Sequence, residues 1–77
     1  MKFKELYNVL DMDEYINVYV LRSDDYELVY GDIAYFIEGS FTWFEIEDFK
    51  VQSIISHRCN FGKGCIIAIY LDERKWI

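Results

Sequence analysis

The run Cys65-Ile66-Ile67-Ala68-Ile69-Tyr70-Leu71 is the most apolar stretch of the chain. It holds no charge and is rich in β-branched isoleucine, which is typical of a strand inside a sheet, covered on both faces or packed strongly on one. At an unprotected edge, such a strand would offer its backbone groups and apolar side chains to other chains. The run therefore predicts a central strand, beside which the other elements must be placed.

Three other segments have the composition of strands. Residues 15–21 and 26–30 are dense in β-branched and aromatic side chains, and the polar residues 22–25 between them have turn chemistry. Together they predict a β-hairpin. Residues 49–56 predict another strand, and the glycines and asparagine of residues 58–64 predict the turn that connects it to the central strand.

One helix and two ambiguous segments complete the chain. A helix is predicted over residues 3–11, where apolar side chains recur at the spacing of one helical face. Residues 33–37 fit a helical turn or a short edge strand, and the imperfect alternation of residues 41–46 indicates a strand or a bulged approach to one. Residues 72–77 indicate a polar tail. The order predicts one α+β domain over residues 1–77, with the N-terminal helix packed on a four- to five-stranded antiparallel sheet, a meander.

Charge and size limit the partners. The chain has 77 residues and a formal net charge of −6, from 14 acidic and 8 basic residues. Nucleic acid and anionic membranes require a basic stripe, so the charge argues against both and favours a basic protein surface as the partner. A domain this small also gains stability by oligomerising, which leaves a homodimer open. No apolar run approaches the ~20 residues of a membrane span, and residues 1–5 lead into no signal peptide, so we expect a cytoplasmic protein in a host cell.

Only one cluster, His57-x-Cys59-x₅-Cys65, has metal-ligand chemistry. Its spacing does not match a zinc knuckle, and a cytosolic setting favours thiols over a disulfide. No Ser/His/Asp or Cys/His arrangement is present in the pattern, and a small domain has little room for a pocket that shifts the pKa values of paired carboxylates. The sequence therefore predicts no catalytic residue, no metal, no cofactor and no enzyme activity.

Residues 36–49 combine aromatic and acidic side chains. Five of the fourteen residues are aromatic, four are acidic and none is basic. If residues 41–47 are extended, one face holds Thr42, Phe44 and Ile46 and suits the core. The other face joins two large aromatic side chains to two carboxylates, which cannot all be buried cheaply.

That second face is the predicted partner surface, because aromatic side chains dominate interface hot spots and carboxylates steer a basic partner. The alternative is that Phe41 and Trp43 pack under the helix or cover a sheet edge while the glutamates reach solvent. The predicted partner-binding residues are Phe41, Trp43, Glu45, Glu47 and Asp48, together with Asp24 and Asp25.

Five segments carry a resemblance to a known class of proteins. They are KFKELYNVLD (2–11), INVYV (16–20), LVYGDIAYF (28–36), VQSIIS (51–56) and IIAIYLDE (66–73). Their layout resembles that of small uncharacterised proteins of phages and prophages in low-GC Gram-positive bacteria. Such genes often lie among accessory functions, including inhibitors of host defence such as anti-CRISPR proteins. The resemblance implies a class of role and carries over no functional residue.

The favoured function is a non-enzymatic interaction protein, encoded by a mobile element, that binds a basic surface of a host protein. Its concrete form is the inhibition of a defence nuclease, or of another nucleic-acid-handling protein, by carboxylates that occupy a phosphate-binding groove. Two alternatives remain. One is an oligomeric binder of a nucleotide signal, in which Arg22, Arg58 and Lys63 neutralise phosphate. The other is a phage structural or assembly component that associates through aromatic edge strands.

Overall fold

The computed structural model describes the backbone of residues 1–58 and 65–75, and the side chains of residues 1–56 and 66–73. Its elements in chain order are helix α1 (Phe3–Tyr7), strands β1 (Tyr15–Arg22) and β2 (Asp25–Ile33), a 3₁₀ turn (Ala34–Phe36), helix α2 (Phe41–Ile46), and strands β3 (Phe49–Arg58) and β4 (Cys65–Lys75). Neither helix is long or apolar enough to cross a membrane.

The four strands form one mixed sheet in the order β2-β1-β4-β3. β1 pairs with β2 and β3 pairs with β4 in antiparallel fashion, whereas β1 and β4 run parallel. The α+β class and the central position of the apolar run are confirmed. The sheet departs from a continuous meander because the 3₁₀ turn and α2 carry the chain from β2 to the opposite edge. β3 starts there, and β4 returns between β3 and β1.

One face of the sheet packs against the helices and forms the core. Ile16, Val18 and Val20 of β1 lie beside their register partners on β4. Val18 and its partner Ile69, for example, are both fully buried. The helical layer closes over them and includes the following buried side chains: Phe3, Leu6, Tyr7, Ala34, Ile37 and Ile46.

The opposite face, called the open face below, is covered by none of the described helices. It consists of the alternate residues of β1 from Tyr15 to Leu21 and of β4 from Ile66 to Asp72, with Tyr26, Leu28, Gly31 and Ile33 of β2 and Lys50, Ser53 and Ile55 of β3. This assignment follows from the two-residue period of a strand, since register partners point to the same face.

The β1–β2 hairpin confirms the predicted turn. Ser23 and Asp24 form a two-residue loop and have positive φ values of 51° and 70°. Positive φ at both central residues defines the type I′ turn, whose twist matches that of the strands it joins, and aspartate tolerates this backbone better than most residues.

The extended conformation predicted for residues 41–46 is wrong, because this segment is helix α2. The Ser40 Oγ accepts a hydrogen bond from the backbone N–H of Trp43 at 3.3 Å, which satisfies one of the orphan donors at the helix start. Trp43 and Ile46 then follow at a helical spacing of three and turn towards the core. The ambiguous segment 33–37 resolves to the 3₁₀ turn.

Two further segments differ from the sequence predictions. The first helix ends at Tyr7, with Asn8 as its C-cap, so it is shorter than the predicted span. Residues 72–75 continue β4 and are not part of a polar tail. A turn was predicted over residues 58–64: Arg58 belongs to β3, and residues 59–64 lie outside the described residues, as does the end of the chain at 76–77.

The first residues of the chain fasten the helices to the start of β3. Lys2 forms a β-bridge with Lys50, and the N–H of Val51 donates to the carbonyl of Met1 at 2.9 Å. Asp48 lies between the Nζ atoms of Lys4 at 3.1 Å and Lys2 at 3.6 Å. The hydrogen bond from Lys4 and the two positive charges hold the pKa of the Asp48 carboxyl below its ordinary value of 3.8.

We expect Asp48→Asn to destabilise the protein slightly at neutral pH but not in acid. A carboxyl whose pKa is lowered by folding stabilises the native state above its unfolded pKa, and this contribution is lost as the pH falls through the folded pKa. The difference in melting temperature between wild type and variant should therefore shrink below about pH 4. Thermal melts between neutral and strongly acidic pH measure this.

Asp13→Asn is the control, since Asp13 has no ion pair among the described residues. A difference between wild type and Asp48→Asn that persists unchanged in acid would contradict the assignment of the pKa shift.

Candidate protein-interaction surface

Four exposed aromatic side chains lie within ten residues of one another on the helical layer. Their exposed fractions are 66% for Tyr35, 58% for Phe36, 96% for Phe41 and 74% for Phe44. The first two belong to the 3₁₀ turn and the last two to α2. We call these four residues the aromatic surface.

Helix α2 presents Phe41 and Phe44 because of its periodicity. These side chains are three positions apart and share the outer side of the helix, whereas Trp43 and Ile46 take the inner side. A strand would have put Phe41 and Trp43 together. The predicted pairing of faces is therefore wrong: Phe44, assigned to the core, is exposed, and Phe41 is exposed as predicted.

Trp43 packs against the core and is half-buried. Its ring contacts Tyr7 and Phe3 edge-on, with centroid distances of 4.8 Å and 5.9 Å. Edge-to-face pairs at these distances add to the stabilisation from buried area. The sequence left open whether Phe41 and Trp43 form an exposed partner surface or pack under the helix. In the structure Trp43 packs against the helix and Phe41 is exposed.

A depression of about 680 Å³ opens beside Tyr35 and Phe36. Tyr7 lies in its wall and donates a hydrogen bond to the carbonyl of Ala34 at 3.2 Å. Burial, the Glu38 carboxylate and Tyr35 raise the pKa of the Tyr7 hydroxyl, so Glu38 lies within electrostatic reach of this wall. The remaining lining residues are Met12, Glu38 and Gly39.

This combination of walls suits a positively charged side chain. The faces of aromatic rings attract ammonium and guanidinium groups, and a carboxylate at the rim neutralises them. The depression is open to solvent, and it meets the aromatic surface at Tyr35 and Phe36.

The carboxylates predicted for partner binding fall into different environments. Glu45 forms an ion pair with the guanidinium of Arg22, which also contacts Glu27 at 3.0 Å and Glu73 at 3.9 Å. Asp48 is held by the two lysines described above. Glu47 caps the end of α2, and its carbonyl accepts from the N–H of Lys4 at 3.0 Å.

Asp24 and Asp25 lie at the β1–β2 hairpin, away from α2 in sequence. The Asp25 carboxylate accepts a hydrogen bond from the neighbouring N–H of Tyr26 at 2.9 Å. Arg22, the register partner of Asp25, joins the turn end of this hairpin to α2 through its ion pair with Glu45. The structure thus brings Phe41, Glu45, Glu47 and Asp48 onto one helix and its end, and leaves the two aspartates on a separate element.

The basic residues required for a nucleotide site are only partly described. Three carboxylates surround Arg22, which opposes the binding of phosphate at this guanidinium. The side chain of Arg58 and the whole of Lys63 lie outside the described residues. The cluster of His57, Cys59 and Cys65 likewise lies outside the described side chains, and the described residues contain no other group of three that could hold a metal ion.

Comparisons with known proteins were made for family, sequence and structure. No protein-family model, no curated protein and no solved structure matches the chain. The class of the protein is therefore defined by its fold, a small α+β domain with a mixed four-stranded sheet.

Four residues of this site escaped the sequence interpretation: Tyr35, Phe36, Glu38 and Phe44. The available signal was Ser40 directly before the apolar residues that start at Phe41, because a serine at that place is a candidate helix N-cap. With a helix starting at Phe41, the inner positions become Trp43 and Ile46, and Phe44 moves to the outside.

We expect Trp43→Ala and Phe44→Ala to differ strongly in stability. Removing the half-buried indole deletes its contacts with Tyr7 and Phe3 and should cost about 2–4 kcal/mol. The corresponding loss in melting temperature is about 10 °C or more for a domain of this size. Phe44→Ala removes an exposed ring and should change stability by no more than about 0.5 kcal/mol. Thermal and urea melts of the two variants, followed by circular dichroism, measure the difference; equal effects would contradict the assigned faces of α2.

Proposed function

We propose that the protein is a non-enzymatic interaction protein that binds a basic surface of another protein through its aromatic surface and the adjoining depression. The observation that carries this proposal is the exposure of Phe41 and Phe44 on α2, which follows within ten residues of the exposed Tyr35 and Phe36.

Exposed aromatic clusters of this kind support a binding role on energetic grounds. Single apolar side chains on a protein surface are ordinary, but contiguous apolar patches rimmed by polar groups mark interaction sites. A phenylalanine that is 96% exposed contributes little to the fold. Folding does not remove this ring from water, so its burial against a partner would contribute hydrophobic free energy to binding.

The distribution of charge supports a basic partner. Between Arg22 and Lys50 the sequence contains eight carboxylates and no lysine, arginine or histidine. Arg22 and the lysines of the N-terminus neutralise Glu45 and Asp48. Glu38 and Glu47 form no ion pair with the described residues, so they remain to attract a positively charged group to the aromatic rings.

The partner class that fits this surface is a protein with an exposed arginine- or lysine-rich groove. Arginine is the better match, because its planar guanidinium stacks on aromatic rings and donates two parallel hydrogen bonds to a carboxylate. Grooves that bind the phosphates of nucleic acid have this composition, so a nucleic-acid-handling enzyme, including a host defence nuclease, is the proposed target. Occupation of such a groove would inhibit the enzyme by competition.

We expect a decaarginine peptide to bind the wild-type protein at the aromatic surface. Amide chemical-shift changes in an NMR titration should concentrate in residues 34–47, and binding should weaken as salt is added. The double variant Phe41→Ala with Phe44→Ala should bind at least about tenfold more weakly, because both exposed rings are lost. Its melting temperature should stay near that of the wild type.

A charge-matched pair of variants provides the control. Glu38→Gln with Glu47→Gln and Asp24→Asn with Asp25→Asn change the net charge by the same amount at two different places. The first pair should weaken binding of the peptide more than the second. Equal losses in both pairs, or no effect of the phenylalanine substitutions, would show that the peptide responds only to net charge and would overturn the proposal.

A further inference from the structure

The open face of the sheet is a second exposed surface, distinct from the aromatic surface. Three tyrosines pack together at its centre. Tyr19 and Tyr70 are register partners whose rings stack with centroids 5.0 Å apart and planes inclined by 12°, and Tyr26 meets Tyr70 edge-on at 5.0 Å. Around them Leu28 and Ile55 are about half exposed.

This packing restricts the rotamers of these side chains in the free protein. Ala68 on the same face is only 2% exposed, because the larger side chains around it fill the space over the strand. Rings that already stack on one another lose little rotamer freedom on binding, so the entropic cost of ordering this surface is small. Tyrosine also tolerates both exposure to water and burial in an interface.

The described side chains of the open face carry no net charge, although the whole chain carries a net charge of −6. Two of its described side chains are charged: Lys50 and Asp72, which have opposite sign and are register partners at one end of the face. Asp72 is 3% exposed and accepts a hydrogen bond from the side chain of Gln52 at 2.8 Å. Two copies of an acidic protein repel each other, and the repulsion is smallest where the contacting surfaces are neutral.

The dimensions of the face are sufficient for a dimer. β1 and β4 pair over seven residues, from Tyr15 to Leu21, a length of about 20 Å. Four strands about 4.8 Å apart give a width of about 15–19 Å, so the projected area is about 350 Å² per copy. Two copies therefore cover about 700 Å² of projected surface, somewhat below the ~1,000 Å² of a strong specific interface, which fits a dimer that forms at high micromolar concentration.

We propose that the open face binds the open face of a second copy of this chain, which gives a homodimer with two-fold symmetry. The same patch then contributes to both sides of the interface, with the tyrosines at its centre. The contact is between sheet faces and not between the edges of β3 or β2. The helical layer, with the aromatic surface, points outward from both copies.

Two neighbouring isoleucines of β3 test this arrangement. Ile55 lies on the open face and Ile54 on the helical face, and their exposed fractions are 44% and 47%. Ile54→Glu and Ile55→Glu therefore introduce the same charge at adjacent positions of similar exposure. Sedimentation velocity at high micromolar concentration should show a dimer for the wild type and for Ile54→Glu, and a monomer for Ile55→Glu.

Leu28→Glu on β2 is the second variant, and it keeps the test valid where Ile55→Glu fails to fold by circular dichroism. It lies on the open face at the other edge of the sheet and should also give a monomer. A wild type that stays monomeric at high micromolar concentration would overturn the proposal. Equal dissociation of the Ile54 and Ile55 variants would also overturn it, since that outcome indicates pairing along the edge of β3.

Discussion

The structure depends on the parallel pairing of β1 and β4. Ile16, Val18 and Val20 lie beside Ile67, Ile69 and Leu71, and these two rows form the floor on which both helices pack. Both helices are only one to two turns long and would not form alone in water, so their stability comes from packing on these two rows of side chains. The pairing also joins the two hairpin-like halves of the chain, β1–β2 and β3–β4, into one sheet. Loss of this contact would leave two antiparallel pairs, neither of which is stable by itself.

A chain of this length covers only one face of its sheet with the described helices. The helical layer consists of α1, the 3₁₀ turn and α2, and its inward side chains are used entirely on the core face. Apolar side chains beyond that supply must stay at the surface. Most of them form two groups that differ in charge: the aromatic surface, which is accompanied by Glu38 and Glu47, and the open face, whose described side chains carry no net charge. The fold thus separates an acidic apolar surface from a neutral one by the thickness of the molecule.

The sequence was sufficient for the elements whose pattern is strong and local. The β1–β2 hairpin and the central position of β4 follow from long apolar segments and a turn with clear chemistry. The parallel direction of β4 relative to β1 could not be predicted. It depends on the edge of the sheet at which β3 begins after the 3₁₀ turn and α2, and that position is a property of the whole fold. Six residues such as Phe41–Ile46 fit a strand or a helix almost equally well. There the contact of Trp43 with Tyr7, thirty-six positions earlier, selects the helix and decides which phenylalanine faces solvent.

The separation of the two surfaces has a consequence for binding strength. In the proposed dimer the open faces are buried at the centre, so both aromatic surfaces are directed outward and remain accessible. A target with two basic sites, or one basic groove on each subunit of a dimeric enzyme, can then be engaged at two points. The second contact becomes intramolecular, and its effective concentration raises the overall affinity without any new contact. On this proposal, a small aromatic surface that binds weakly as one copy would bind more strongly when a dimer presents it twice, and a dimer contact without net charge would not add repulsion between the copies.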